Sequence, residues 1–127
     1  MFLLLGGNRL IVVYDSLTGN TKKAAEKLGM KTKKINSYEN DDDEKVFLMT
    51  RSQGFGEVPK TTIEFLNKYS KRVVGVAVSG NKNWGKNFGK AGRIIESKYN
   101  IPLVCIFEGI GFDQEIKKIK DFLLRSI

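Results

Sequence analysis

The sequence predicts an α/β fold in which a five-stranded parallel sheet is covered on both faces by helices. Short, nearly continuous apolar runs recur along the chain, as strands buried on both faces require. Amphipathic stretches at helical spacing alternate with them. The Gly-, Ser- and Asn-containing segments follow the strands, which is where open α/β sheets bind ligands.

Leu10-Ile11-Val12-Val13-Tyr14 reads as the first strand. A helix follows from Asn20 to Leu28, with Ala24, Ala25 and Leu28 on one face and Gly29 at its end. Residues 31–35 are lysine-rich, as edge strands tend to be. Asn40-Asp41-Asp42-Asp43-Glu44 reads as a solvated acidic loop, with no convincing helix between the second and third strands. Val46-Phe47-Leu48-Met49 is the next buried strand, and a long Gly-containing loop runs over 50–58. Pro59 suits the first turn of a helix that turns Ile63, Leu66 and Tyr69 inward. Residues 72–79 form a strand and 80–85 a Gly/Asn-rich loop. Phe88, Ala91 and Ile95 mark another helix, and residues 103–107 the last strand. Phe112, Ile116, Ile119 and Leu123 form the stripe of a final helix.

At 127 residues the chain favours one domain, long enough to bury a core without disulfides. Residues 1–9 read as an N-terminal extension whose order is left open: a frayed segment, a cloning remnant or a misread start. Residues 10–127 form the single domain. The run Phe2-Leu3-Leu4-Leu5 is too short for a signal-peptide core and lacks a basic start. No run reaches the ~18 apolar residues of a membrane span, so the cytoplasm is the expected location, with no membrane partner.

The chain has one cysteine and no histidine. An internal disulfide, a Cys/His metal site and a Ser/His/Asp triad are therefore excluded, and no catalytic residue or metal site is expected. Cys105 lies in an apolar run and reads as a buried, inert thiol. The net charge is +8. Its lysines are spread rather than gathered in one tract, which argues against a nucleic-acid arm.

Three loops should meet at the carboxyl ends of the strands. Asp15-Ser16-Leu17-Thr18-Gly19-Asn20-Thr21 offers hydroxyls, backbone N–H groups and a glycine turn at a helix start. That suits a phosphate monoester held by neutral donors, or else an ordinary N-cap. A P-loop would need Gly-Lys before the hydroxyl residue, and a dinucleotide fingerprint a third glycine where Pro59 stands. In the second loop, Gly54 and Gly56 flank Phe55, which allows close approach to a flat ligand such as a flavin. The alternative is a mobile loop with Phe55 packed inward. The third loop places Trp84, the only tryptophan, near Asn81, Asn83 and Gly85. Its indole either stacks on an aromatic ligand, with the asparagines at the ligand's polar edge, or caps the core.

The first loop resembles the phosphate loop of flavodoxins. Gly54-Phe55-Gly56-Glu57-Val58-Pro59, Ser79-Gly80-Asn81-Lys82-Asn83-Trp84-Gly85 and Asn87-Phe88-Gly89-Lys90-Ala91-Gly92 resemble the NrdI family of ribonucleotide reductase stimulatory proteins. Asn100-Ile101-Pro102-Leu103 and Phe107-Glu108 continue the likeness over residues 10–125. The resemblance implies a flavodoxin-like three-layer sandwich with strand order 2-1-3-4-5 and one non-covalent flavin mononucleotide (FMN). It places the phosphate on Ser16, Thr18, Gly19, Asn20 and Thr21. The ring would meet Thr50, Gly54, Phe55 and Gly56, with Asn83, Trp84 and Gly85 opposite and Leu17 shielding it. It further implies an electron donor and, as partner, the small dimanganese subunit of class Ib ribonucleotide reductase. Reduced flavin would react with dioxygen, and the resulting superoxide or peroxide would serve assembly of that subunit's tyrosyl radical. Two other readings stand beside this one: a general flavodoxin electron carrier, and a flavin-free basic binding domain. Arg51, Lys82 and Lys86 suggest a positive rim, unlike the acidic surround of ordinary electron-carrier flavodoxins. Such a rim should favour the anionic, fully reduced flavin over the one-electron form.

Overall fold

A computed structural model describes residues 3–5, 8–39 and 44–125. Strands β1 (Leu3–Leu5), β2 (Asn8–Tyr14), β3 (Thr32–Lys34), β4 (Glu44–Thr50), β5 (Val73–Ser79) and β6 (Leu103–Phe107) form one sheet. Helices α1 (Asn20–Glu26), α2 (Lys60–Tyr69), α3 (Lys90–Tyr99) and α4 (Asp113–Arg125) cover it. Five strands are parallel, in the spatial order β3-β2-β4-β5-β6, which is the 2-1-3-4-5 order.

The sheet alternates residue by residue between two cores. Leu10, Val12, Phe47, Met49 and Ala77 pack on one side with Ala24 and Ala25 of α1 and Ile116, Ile119 and Leu123 of α4. Ile11, Val13, Val46, Leu48, Val76 and Val78 pack on the other with Phe65 and Leu66 of α2 and Ile95 of α3. The period-2 geometry of a strand divides each continuous apolar run between these two layers.

Several elements differ from the sequence reading. The strand β2 begins at Asn8, and β1 adds an antiparallel strand to the expected five, pairing Leu3 with Leu10 and Leu5 with Asn8. It occupies the edge of β2 that β3 takes further along, at Val12–Tyr14. Glu44 belongs to β4 rather than to the solvated acidic loop. It is buried, with Lys31 Nζ 3.2 Å from its carboxylate. Residues 40–43 of that loop lie outside the described residues. Between β3 and β4 there is only a 3-10 turn, Ile35–Ser37, whose Ile35 joins the core. On α2 it is Thr62, Phe65 and Leu66 that are buried, while Ile63 is half-buried. Phe112 precedes α4 and is exposed, so that helix's buried stripe starts at Ile116.

Cys105 sits in the core beneath α4, and burial pushes its thiol up from 9.0 to about 11, with Glu115 reinforcing the shift. A neutral, enclosed thiol is a poor nucleophile. A maleimide at pH 8 should therefore leave the native thiol unlabelled and react fully once the protein is unfolded in urea. Rapid native labelling would refute this. The same shift makes the unfolded chain ionise first, so stability should fall as pH rises from about 9 towards about 11.

Candidate functional site

Four loops meet beyond the carboxyl ends of β2, β4, β5 and β6 around a cavity of about 240 Å³. Its walls are Leu17, Thr18, Asn20 and Thr21 from the first loop and Arg51 and Ser52 from the second. The third contributes Ser79, Gly80 and Trp84, and the loop after β6 contributes Gly109.

The first loop leaves β2 at the buried Asp15 and enters α1 at Asn20. Gly19 stands at the turn with φ +96°, a left-handed conformation that costs a residue with a Cβ about 1–2 kcal/mol. Ser16 Oγ accepts the Gly19 N–H at 3.0 Å and closes the loop on itself. The first amides of a helix have no intrahelical acceptor. Thr18, Asn20 and Thr21 add side-chain donors on the cavity wall beside them.

Asp15 joins this loop to the second. Its Oδ2 accepts the hydroxyl protons of Thr61 and, at 2.7 Å, Thr62, both in the first turn of α2. Its Oδ1 lies 3.4 Å from Arg51 Nε. Thr50 and Thr62 share a further hydroxyl contact of 2.6 Å. Asp15 is 4% exposed, so these donors offset a desolvation cost that an unpaired charge could not bear.

The second loop is a tight turn. Gln53 and Glu57 exchange backbone hydrogen bonds of 2.9 and 2.7 Å, leaving Gly54, Phe55 and Gly56 to close it. Phe55 is at the tip and 79% exposed, so it is not packed inward. Gly56 has φ +98°, and a Cβ there would lie 2.9 Å from Asn87 O and 2.9 Å from Lys90 Cβ. The missing side chain lets the second loop press against the third. Ser52 Oγ ties them again by donating to Ser79 O at 2.7 Å.

In the third loop Asn81 Oδ1 accepts the Asn83 N–H at 2.8 Å and caps a stretch of 3-10 turns, Lys82–Asn87. Trp84 is carried on that stretch, 36% exposed and lining the cavity, so it does not cap the core. Lys82 Nζ pairs with Glu108 at 3.6 Å, which offsets part of the positive rim.

Of the site residues read from sequence, Leu17, Thr18, Asn20, Thr21 and Trp84 line the cavity together. Ser16 and Gly19 shape the loop behind them. Thr50 is buried against Thr62. Gly54, Phe55, Gly56, Asn81, Asn83 and Gly85 are not among the lining residues; they form the turns that carry the walls. Sequence reading missed Asp15 as the link to α2, and it missed Gly109. Gly109 follows Phe107-Glu108 at the end of a strand, which is the signal that could have found it. Among the described residues no group of three His, Cys, Asp or Glu could hold a metal ion, and no helix is long and apolar enough to cross a membrane. A lining that combines hydroxyl and amide donors, one indole and one guanidinium suits a ligand with an anionic end and a flat aromatic body.

A family model described as NrdI Flavodoxin like matches residues 12–121. Protein NrdI of Macrococcus caseolyticus is 39% identical over 113 residues, 86% of this chain and 84% of that protein. Protein NrdI of Bacillus licheniformis is 40% identical over 115 residues, covering 85% and 88%. Among solved structures, a short-chain flavodoxin associated with a non-canonical PDU bacterial microcompartment superposes with TM-score 0.71 at 18% identity, over 92% of this chain and 95% of that one. The Fusobacterium nucleatum flavodoxin bound to flavin mononucleotide superposes with TM-score 0.64 at 17% identity, over 91% and 95%.

Two substitutions test the geometry. Gly56→Ala should destabilise the protein by about 1–3 kcal/mol, because the chain must both adopt a left-handed φ and part the two loops. Thr62→Val should cost about 1–3 kcal/mol by removing a donor from buried Asp15. Urea unfolding measures both, and wild-type midpoints would contradict this account.

Proposed function

The chain belongs to the NrdI flavodoxin-like family, and from that membership we propose that it binds one non-covalent FMN and supports class Ib ribonucleotide reductase. The observation that carries the reading is the meeting, in one cavity, of the Ser16–Thr21 loop with the indole of Trp84. Thr18, Asn20, Thr21 and the amides around Gly19 would take the phosphate. Trp84 would stack on the ring, with the turns at 54–56 and 81–85 as its supporting walls and Leu17, 77% exposed, as its shield. Thr50 would hold the base of the second wall through Thr62.

FMN, when bound, supplies one- and two-electron redox chemistry and, once reduced, reaction with dioxygen. In this reading the cofactor supplies the reactivity, and the chain contributes binding, orientation and electrostatics. Its net charge of +8 favours retention of an anionic oxidant near the cavity. The oxidant would pass to the small dimanganese subunit, after electrons arrive from a separate donor in the cytoplasm.

Purified protein reconstituted with FMN should turn yellow and bind it one to one. Trp84→Ala should weaken that binding by roughly threefold to tenfold, the worth of one aromatic stacking contact. Reduced holoprotein given dioxygen should activate the manganese-loaded small subunit of the same organism. A yellow protein that fails in this assay would sink the reductase role and leave an electron carrier for other partners. A protein that takes up no FMN would remove the flavin reading itself.

A further inference from the structure

Arg51 is the one charged side chain among the residues that line the cavity. Its side chain is largely buried, and the carboxylate beside it more so. That carboxylate is itself fixed: Thr61 and Thr62 hold Asp15 Oδ2, which leaves Oδ1 to face Arg51 Nε at 3.4 Å. Among the described residues, the guanidinium makes no other hydrogen bond or ion pair. A guanidinium gripped through Nε keeps its two Nη groups in a defined plane, the geometry that takes an oxyanion or a planar anion by two parallel hydrogen bonds. The neighbouring cations do not share this position. Lys82 is paired with Glu108, Arg93 Nη2 donates to Lys86 O at 3.0 Å, and neither lines the cavity.

We propose that Arg51 is an anion-binding residue of this cavity and that Asp15 is its positioning residue. The ligand chemistry is an anionic group of the bound flavin nucleotide. This rests on the FMN reading and adds a residue that reading does not require. Arg51 stands at the end of β4, between the loop that follows β2 and the loop that follows β5. The anion within its reach is therefore either the phosphate monoester or the ring when reduction leaves it negatively charged. A pre-set donor in a half-buried site strengthens such a contact, because no side chain must be ordered on binding and little water screens the charge.

The test compares wild type, Arg51→Gln, Arg51→Lys and Asp15→Asn, and the double variant of Arg51→Gln with Asp15→Asn. Dissociation constants for FMN and for riboflavin, which lacks the phosphate, are read by fluorescence titration. The two-electron midpoint potential is read with FMN bound. If the phosphate is the partner, Arg51→Gln weakens FMN by roughly tenfold or more and leaves riboflavin unchanged. If the reduced ring is the partner, Arg51→Gln leaves both affinities in place and lowers the midpoint potential. Arg51→Lys should follow Arg51→Gln, since it keeps the charge but has no Nε for Asp15 to grip. Asp15→Asn should reproduce the loss in wild type and add little in the Arg51→Gln background. Wild-type affinities and potential in Arg51→Gln, or equal weakening of FMN and riboflavin, would overturn the anion contact. An undiminished Asp15→Asn effect in the Arg51→Gln background would overturn the positioning role. If Asp15→Asn does not fold, the two Arg51 variants still decide the anion contact. Failure of wild type itself to bind FMN would instead count against the flavin reading.

Discussion

A buried carboxylate organises the functional end of this molecule. Asp15 is where β2 stops, and its side chain collects donors from two other elements. Thr61 and Thr62 bring the start of α2, and Arg51 brings the residue after β4. A carboxylate shut away from water is tolerable only when its lone pairs are occupied. The cluster therefore holds together as a unit: the end of β2, the end of β4 and the first turn of α2 are constrained to one arrangement. The first and second loops depart from those points, and their relative placement follows from it.

The loops then reinforce one another with backbone and hydroxyl contacts. The Gln53–Glu57 turn is closed by its own hydrogen bonds, Ser52 donates to Ser79 O, and Gly80 N–H donates to Phe107 O at 2.8 Å. Gly56 removes the atoms that would hold the second and third loops apart. The result is a cavity walled by loops but tied at several points to rigid strands. Apolar groups remain exposed at its rim and tips, notably Leu17 and Phe55. Hydroxyl and amide side chains supply half of the lining residues, and Arg51 is the single charged one, so the positive charge of the chain enters the cavity through one guanidinium.

The sheet beneath is simpler. Each central strand is apolar on both sides, because α1 and α4 cover one face and α2 and α3 the other. Along β4 the buried polar side chains stand at its two ends, and both are answered. Glu44 at the start of β4 meets Lys31, and its backbone carbonyl accepts from Arg72 Nη1 at 3.4 Å. Thr50 at the far end of β4 meets Thr62.

Local patterns were enough to read the five parallel strands, the four helices and the turn residues of the first loop, while the choice between an exposed and a core-capping Trp84 stayed open until the structure placed it on the cavity wall. Runs such as Leu10 to Tyr14 carry that information because burial on both faces demands apolar residues without interruption. Spacing on α4 carries it because a single helical stripe must face the sheet. What the sequence by itself left undetermined were features whose partners are far away along the chain. Glu44 looks like the tail of an acidic run until Lys31 is brought beside it. Asp15 looks like a loop flank until α2, nearly fifty positions later, supplies its hydroxyls. Arg51 reads from the sequence as one of three cations of a positive rim, and only the structure shows that the same carboxylate takes its Nε. The pairing of β1 with β2 and the arrival of Gly109 at the cavity are of the same kind. Burial patterns are periodic and local, so one strand of text records them; the pairing of polar groups depends on which loops the sheet order makes neighbours, and only the tertiary structure decides that.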